Sequence, residues 1–371
     1  MGNTRTFNGG AGSIALLGDV ALNGLFLTQP EKNHQRFTEI APILQSFPLV
    51  LANLETPLAG DNEFNPDKKD GKGVIHYTDE TTVKEILPML NITGVSLANN
   101  HIYDRGKSGL IHTVKCLETL GIRFTGAGYA AEHLEPVFFE TGGKQVAFCA
   151  YVDRDTNPCF PDDAGIFINY FDEEAVIQKI KSIKKECHNL VLSIHWGRDY
   201  SAYPTREQRE TARRLVDAGA DVILGHHTHT LQPYETYKKG LIFYSLGSFC
   251  YGDFLWEGKQ RALKRKTKRG MAAVISMEDN GPKISAVIPT RELKGNTVIP
   301  GRKVKNNRRM LFYMRLFHKY RFFYRLQKIK EVLIDRVVEY FFGYYRNPLV
   351  QLFSAANFKK IAFIKRDLKK G

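Results

Sequence analysis

The chain has 371 residues, of which 43% are apolar and 25% are charged. A chain of this length and apolar content can bury a sizeable core, so a wholly disordered protein is excluded. The net charge of +14 is unevenly spread, because residues 301–371 hold 19 Lys and Arg against four acids and residues 1–300 hold 34 against 35. A uniformly basic nucleic-acid-binding protein is therefore excluded, and a near-neutral globular body with a basic tail is predicted.

Short apolar strands alternate with helices along the first half of the chain. Apolar runs and apolar residues at helical spacing distinguish the two kinds of element. The predicted elements are strands at 14–17, 49–51, 94–98 and 122–125 and helices at 81–90 and 109–120. This alternation is typical of an α/β domain.

The second half continues the alternation and then changes to strands in hairpin-like succession. The predicted elements are strands at 146–151, 190–194, 222–224, 241–244, 272–277 and 284–288 and helices at 173–185 and 205–218. The hairpin-like part predicts mixed rather than purely parallel sheets. The basic segment 259–269 carries seven positive charges and no acid, and we interpret it as a solvated loop.

The sequence contains no segment typical of secretion or of a membrane span. The first twelve residues lack the apolar region of a signal peptide, and the densest apolar stretch, residues 337–345, is interrupted by Glu339 and Gly343. The five cysteines form no C-x-x-C pair, which favours free thiols in a reducing compartment. We therefore expect the cytoplasm or the cytoplasmic face of the membrane.

Five of the predicted strands end in side chains that bind metal ions. In an open α/β sheet the carboxyl ends of neighbouring strands face a common crevice, so residues distant in sequence converge there. Carboxylates, amides and imidazoles together suit Mn, Fe or Zn in a hydrolytic site of one or two ions, and two ions would need a bridging carboxylate such as Glu55. The candidate ligands are Asp19, Glu55, Asn100, His101, His195 and the imidazoles of residues 226–229.

These strand ends also belong to a set of motifs found together in one family. The set resembles the CapA-type capsule and poly-gamma-glutamate synthesis family over residues 13–290. The motifs are Gly18-Asp19-Val20, Asn53-Leu54-Glu55-Thr56-Pro57-Leu58, Leu97-Ala98-Asn99-Asn100-His101 with Asp104-Arg105-Gly106, His195-Trp196-Gly197, Gly225-His226-His227-Thr228-His229 and Tyr244-Ser245-Leu246-Gly247-Ser248-Phe249.

The resemblance implies a fold and a set of residue roles. The family is a branch of the calcineurin-like metallophosphoesterases, so the expected fold is a two-layer β-sandwich of mixed sheets flanked by helices. Carried over by position, the roles are metal binding for Asp19, Asn100, His195, His227 and His229, a bridging carboxylate for Glu55 and catalysis for His101.

One position departs from the phosphoesterase pattern. Those enzymes usually have a histidine two residues after the first aspartate, and this chain has Ala21. The first metal site is then short of a ligand. Either the centre binds one ion tightly and another weakly, or His226 compensates for the missing ligand, and the number of ions stays open between one and two.

The resemblance implies hydrolysis of a phosphoester. Metal-activated water would attack phosphorus, and His101 would stabilise or protonate the leaving oxygen as a general acid. Arg198 and Arg105 are candidate oxyanion clamps, because a guanidinium binds phosphate oxygens in a bidentate manner.

Residues 301–371 require a separate interpretation. They contain 15 of the 43 aromatic residues of the chain, and in 308–330 Phe312, Leu316, Tyr320 and Phe323 recur at helical spacing among cations. This basic aromatic helical tail indicates contact with a membrane surface, or alternatively packing on the body. No motif of the tail supports nucleic-acid binding.

Three functions are compatible with these patterns. The first is a metal-dependent hydrolase that acts on a phosphoester or an anionic polymer in capsule biosynthesis. The second is a non-catalytic component of the capsule synthesis machinery that binds an anionic polymer, which Ala21 favours. The third is a peripheral membrane adaptor whose function resides in the tail.

Overall fold

The structure is a computed structural model, and it describes residues 9–61, 64–65, 68, 74–156, 160, 165–252, 254–256, 259–261, 267–293, 295–301 and 306–329. The chain divides into two compact units, Met1–Asn307 and Arg308–Gly371. Within the described part of the chain, none of the helices combines the length and the apolar character that crossing a bilayer requires.

Strands are the most numerous regular elements of the first unit. Many are short and rich in Val, Ile and Leu, and they are buried on both faces. In chain order they are β1 Ser13–Ala21, β2 Leu49–Leu54, β3 Gly94–Ser96, β4 Arg123–Thr125, β5 Ala127–Gly128, β6 Val137–Thr141, β7 Lys144–Val152, β8 Phe167–Ile168, β9 Asn189–His195, β10 Val222–His226, β11 Tyr234–Tyr237, β12 Gly240–Phe243, β13 Ser248–Tyr251, β14 Phe254–Trp256, β15 Lys259–Arg261, β16 Arg269–Glu278, β17 Gly281–Glu292 and β18 Val298–Pro300.

Some of the longer helices begin at recognisable caps. The side chain of Asp79 accepts a hydrogen bond from Thr82 N, and Thr205 forms a capping box with Gln208. In chain order the helices are α1 Leu25–Thr28, α2 Asn33–Arg36, α3 Ala41–Leu44, α4 Glu80–Met89, α5 Gly106–Thr119, α6 Glu173–Ile183, α7 Arg206–Ala218, α8 Asn307–Lys319 and α9 Arg321–Ile329.

Two mixed sheets dominate the first unit. The first has the order β18-β17-β16-β1-β2-β3-β4, and β13 also pairs with β1. The second has the order β11-β12-β10-β9-β7-β6. Strands β1 to β4 run parallel, as do β7, β9, β10 and β12, while the outer pairs run antiparallel. The prediction of mixed sheets is confirmed.

The core forms layers on either side of these sheets. Leu16, Leu51, Phe148 and Leu224 belong to one buried cluster, which is drawn from both sheets and lies between them. A second cluster joins the opposite face of the first sheet to helices α4 and α5, and α7 packs on β10 and β12. The chain therefore forms the predicted two-layer β-sandwich flanked by helices.

Two parts of the sequence prediction differ from the structure. The segment 259–269 was expected to be a loop, but Lys259–Arg261 pairs with Phe254–Trp256 as an antiparallel hairpin. Backbone pairing is available to a charged segment as long as its side chains reach water, so charge alone does not indicate a loop. The helical pattern at 308–330 corresponds to α8 and α9, which are separated at Tyr320.

The inter-sheet layer makes the stability of the body sensitive to truncation of its large side chains. We expect Phe148→Ala to lower the free energy of unfolding by about 3–5 kcal/mol, because the ring is fully buried and its loss leaves a cavity. Phe167→Ala is the matched control, since its ring is 41% exposed and the change should stay within about 0.5 kcal/mol. Urea denaturation measures both, and equal losses would contradict this layer as the core.

Candidate metal centre

Parallel strand ends position the two carboxylates of the centre. Asp19 lies near the end of β1 and pairs in register with Asn53 of β2, and Glu55 follows β2 directly. Gly18 lets the chain approach its neighbour closely, because a Cβ atom there would lie 1.8 Å from the carbonyl oxygen of Gly247. The close packing brings Asp19 and Glu55 to the same edge of the first sheet.

The carboxylate of Asp19 is held by three side chains. Oδ1 accepts a hydrogen bond from Asn53 Nδ2 at 2.9 Å and lies 3.0 Å from His226 Nδ1, while Oδ2 lies 3.1 Å from His229 Nδ1. Burial alone would raise the pKa of Asp19, but the hydrogen bonds from His226 and His229 bring it well below its usual value. Asp19 is therefore an ionised carboxylate in a fixed orientation.

Glu55 is a buried carboxylate whose hydrogen-bonding capacity is unused. The side chain is fully buried, and neither oxygen has a hydrogen-bond partner among the described residues. Oε1 lies 3.6 Å from His229 Nε2, 3.9 Å from His195 Nε2 and 4.0 Å from His101 Nε2. Burial, followed by the charge of Asp19, raises the pKa of Glu55 well above its usual value. A cation between these atoms would satisfy the carboxylate.

Two groups of side chains share Glu55. The ligand atoms of Asp19, Glu55 and His229 lie within 4.8 Å of one another, and so do those of Glu55, His195 and His227. A carboxylate shared by two such groups is what a bridge between two cations requires, and this role of Glu55 stays a prediction.

The second group has a further oxygen. Asn100 Oδ1 lies 2.9 Å from His195 Nε2, and His227 Nδ1 lies 3.2 Å from the same atom. Three predicted ligands thus converge on one point, although the roles of Asn100, His195 and His227 as metal ligands stay predictions.

The loop that carries the paired histidines is strained. His227, His229 and Tyr200 have positive φ angles of 84°, 50° and 64°, which cost non-glycine residues of order 1–3 kcal/mol each. The conformation is held by neighbouring backbone, because Tyr200 N donates to Thr228 O at 2.8 Å. In this conformation one short loop directs the imidazoles of His227 and His229 toward the carboxylates.

His101 is oriented by a buried ion pair. Asp104 Oδ2 lies 2.7 Å from His101 Nδ1, and Asp104 Oδ1 accepts from Lys68 Nζ at 2.5 Å. Lys68 Nζ also donates to Asn100 O at 2.8 Å. With Nδ1–H assigned to Asp104, the Nε2 atom of His101 faces Glu55.

Burial changes the protonation of three imidazoles of the centre. It lowers the pKa of His101, His195 and His227, since a charged ring would lose its hydration. The shift favours the neutral form of these rings, which is the form that binds a metal ion.

Ala21 lies against aromatic side chains at the edge of the centre. It packs with Tyr251 and Tyr200 in a small buried cluster. The hydroxyl of Tyr251 lies 2.8 Å from His76 Nε2, and the Tyr251 ring lies edge-on to the His229 ring at 4.5 Å. Aromatic packing thus surrounds the position at which the phosphoesterase pattern has a histidine.

The remaining predicted residues lie at different distances from the centre. His226 holds Asp19 and belongs to neither group of convergent ligands, so its expected role as a replacement ligand is not supported by the geometry. Arg198 is exposed, and its catalytic role stays a prediction. Asp199, its neighbour, has Oδ1 at 3.7 Å from His227 Nε2 and at 4.0 Å from His229 Nε2.

Sequence reasoning missed several residues that contact the centre. Asp104 could have been found from its spacing, because it lies three residues after His101. Lys68, His76 and Tyr251 carry no local signal, since none follows a predicted strand with a recognisable motif.

The centre brings carboxylate, amide and imidazole donors together at the carboxyl edge of two mixed sheets, and two groups of them are spaced to hold a divalent cation. The sequence model of the bacterial capsule synthesis protein family PGA_cap matches residues 13–253, and the chain belongs to this family.

Two similar proteins come from Bacillus species. The chain is 31% identical over 265 residues to the capsule biosynthesis protein CapA of Bacillus anthracis, covering 70% of this chain and 62% of that protein. It is 28% identical over 314 residues to the PGA biosynthesis protein CapA of Bacillus subtilis, covering 80% and 78%. The chain thus spans less than two thirds of the Bacillus anthracis protein.

Solved structures with a similar fold include two 5′-nucleotidases. A putative 5′-nucleotidase from Staphylococcus aureus matches with a TM-score of 0.46 and 11% identity, covering 82% of this chain and 58% of that one. A 5′-nucleotidase precursor from Thermus thermophilus matches with a TM-score of 0.42 and 14% identity, covering 78% and 54%.

Metal binding should stabilise the protein through Glu55. We expect saturating Mn²⁺ at a hundred times its dissociation constant to add about 2.7 kcal/mol to the stability of the chelator-treated protein, and Glu55→Gln to remove most of this gain. The gain should shrink as the pH falls, because a proton on Glu55 competes with the cation. Thermal denaturation with and without Mn²⁺ measures it.

Glu235→Gln is the matched control for this measurement. Glu235 is also buried, but Arg213 and Tyr244 satisfy its carboxylate away from the centre. The control should melt at a lower temperature and keep its full response to Mn²⁺. A full response in Glu55→Gln as well would remove Glu55 from the metal centre.

Proposed function

We propose that this protein is a metal-dependent phosphoesterase-like hydrolase that acts in the biosynthesis of a cell-surface polymer of the poly-gamma-glutamate kind. The observation that carries the proposal is the buried, unsatisfied carboxylate of Glu55 shared by two groups of convergent ligands. Such a carboxylate is costly in a protein that only binds a polymer, whereas a hydrolytic metal site requires it.

In this proposal the side chains divide between two cations. Asp19, Glu55 and His229 would hold one, and Glu55, Asn100, His195 and His227 would hold the other. Divalent ions of the Mn, Fe or Zn class supply, when bound, the Lewis acidity and the activated water that phosphoester hydrolysis needs.

In this proposal His101 transfers a proton to the leaving oxygen. Asp104 fixes the imidazole through Nδ1, so Nε2 can take up a proton in the cleft and deliver it to the leaving oxygen. Lys68 orients Asp104 through its ion pair. Arg198, which is exposed, would bind a phosphate oxygen of the substrate, because a guanidinium binds such oxygens in a bidentate manner.

The hydrolase proposal is tested by metal content and turnover together. We expect the purified protein to contain stoichiometric metal and to hydrolyse an aryl phosphomonoester or a bis-aryl phosphodiester in added Mn²⁺. His195→Ala should lose metal and turnover together, whereas His101→Gln should keep its metal and lose roughly 10²–10⁴-fold in kcat. Elemental analysis and steady-state kinetics measure the two quantities.

His112→Ala is the control, because this histidine lies on the surface of α5 away from the centre. It should match the unmodified protein in both measurements. A metal-free and inactive protein that still binds an anionic polymer would reject the hydrolase and leave a binding role in polymer assembly.

That binding role is the second candidate function, and Ala21 favours it. The group of Asp19, Glu55 and His229 has no fourth protein ligand at position 21, where Tyr251 packs instead. A centre with one weak cation position could recognise a carboxylate polymer within the capsule synthesis machinery without hydrolysing it.

The second unit has its own proposed partner, an anionic membrane surface at the cytoplasmic face. Phe312 on α8 and Phe322 on α9 are 62% and 65% exposed, and Arg315, Lys319 and Arg325 are exposed on the same helices. Exposed aromatic rings beside cations are typical of interfacial helices.

Binding to vesicles tests the membrane partner. We expect the full chain to sediment with vesicles that contain phosphatidylglycerol and not with neutral vesicles. Replacing Arg315, Lys319 and Arg325 with glutamine should weaken this binding roughly a hundredfold, since each cation contributes about 1 kcal/mol near an anionic surface.

The matched control replaces three exposed lysines of the body, Lys115, Lys181 and Lys185, in the same way. Their loss should leave sedimentation unchanged. If both sets weaken binding equally, or if deletion of residues 301–371 has no effect, the tail is not the membrane contact.

A further inference from the structure

Arg105 is a buried cation without a counter-ion among the residues that the structure describes. The residue is 4% exposed, and its Nε atom is buried without a hydrogen-bond partner. The carboxylate of the preceding Asp104 is engaged by Lys68 and His101. A guanidinium that is buried and unpaired is strongly destabilising, and since no described residue supplies the counter-ion, an anionic ligand is a candidate partner.

Two aromatic rings hold the guanidinium. Its Cζ atom lies over the rings of Phe64 and Tyr77, at 4.0 Å and 5.0 Å from their centroids. The faces of the two aromatic rings attract the cation. They accept no conventional hydrogen bonds from the N–H groups at the edge of the guanidinium. The two rings therefore fix the plane of the guanidinium, whose fork of N–H groups suits a bidentate acceptor.

A helix terminus adds positive potential at the same place. Arg105 is the N-cap residue of α5, which has neither a side-chain cap nor an acid in its first turn. The N-terminal end of a helix carries a partial positive charge that favours an anion.

This position lies beside the metal centre along the chain. Tyr77 directly follows His76, whose ring lies 4.0 Å from that of His101, centroid to centroid. Arg105 likewise directly follows Asp104, which orients His101. One extended ligand could therefore occupy both places.

We propose that Arg105, held by Phe64 and Tyr77 at the N-terminus of α5, binds one carboxylate of an extended acidic polymer whose neighbouring part reaches the metal centre. The identity of the polymer as a poly-gamma-glutamate chain rests on the proposed function. A carboxylate fits better than a phosphate monoester, because one guanidinium balances a single negative charge and a monoester carries nearly two.

Equilibrium binding of a short γ-linked glutamate oligomer to the full chain tests this subsite. Arg105→Met should weaken the binding roughly tenfold to a hundredfold and leave the metal content unchanged. The ligand-free variant should melt at the same temperature as the unmodified protein or a few degrees higher, because an unpaired buried cation has been replaced by an apolar side chain.

A merely structural Arg105 gives the opposite pattern, with a lower melting temperature and unchanged oligomer binding, and that result would overturn the proposal. Arg105→Lys keeps the charge but loses the planar fork, so it should also bind weakly. Arg123→Met is the matched control, since Arg123 lies over Phe139 at 5.7 Å but is exposed on β4. It should bind the oligomer normally.

Two further results separate this proposal from others. Polyphosphate of equal length competing as strongly as the oligomer would overturn the assignment to a carboxylate. Because binding is measured without turnover, Arg105-dependent binding by an inactive protein would retain the subsite and reject the hydrolase. If the protein hydrolyses its substrate but binds the oligomer independently of Arg105, the hydrolase is retained and the subsite is rejected.

Discussion

The arrangement of the body depends on burying one carboxylate, that of Glu55, among imidazoles with no hydrogen bond among the described residues to satisfy it. Such a group is unfavourable in a protein interior unless a cation compensates it. The same cation would draw together Asp19 and His229 on one side and His195 and His227 on the other. Binding of such a cation would therefore stabilise the folded chain.

The two sheets bring these ligands together through their parallel strands. Parallel neighbours end at a common edge, so β1 and β2 deliver the carboxylates while β9 and β10 deliver the imidazoles. The layer between the sheets fixes the distance between the two edges, because interiors are packed too densely to tolerate a shift. Backbone strain at His227 and His229 is therefore stabilised by the packing of the whole body.

Charge is divided between the two units in a way that suits different contacts. The body is near neutral overall, and its cations near the centre are individual buried residues such as Lys68 and Arg105. The second unit concentrates cations and exposed aromatic rings on helices. A buried cation of the body acts on a charged group at short range, whereas the helices of the second unit would be attracted to an anionic surface over a longer distance. Salt screens the long-range attraction much more strongly than the short-range contact.

The sequence by itself determined most of the fold and located most of the side chains that converge at the centre. Apolar runs located the strands, and polar residues at their ends located Asp19, Glu55 and His195, because strand direction and side-chain chemistry are local properties. Only the tertiary structure decided that Lys68 pairs with Asp104, that Tyr251 contacts His76 and packs against Ala21, and that Arg105 lies over Phe64 and Tyr77. These contacts join segments that are distant in sequence or lack periodicity, so their distances follow from the packing of the folded chain and leave no local pattern to read.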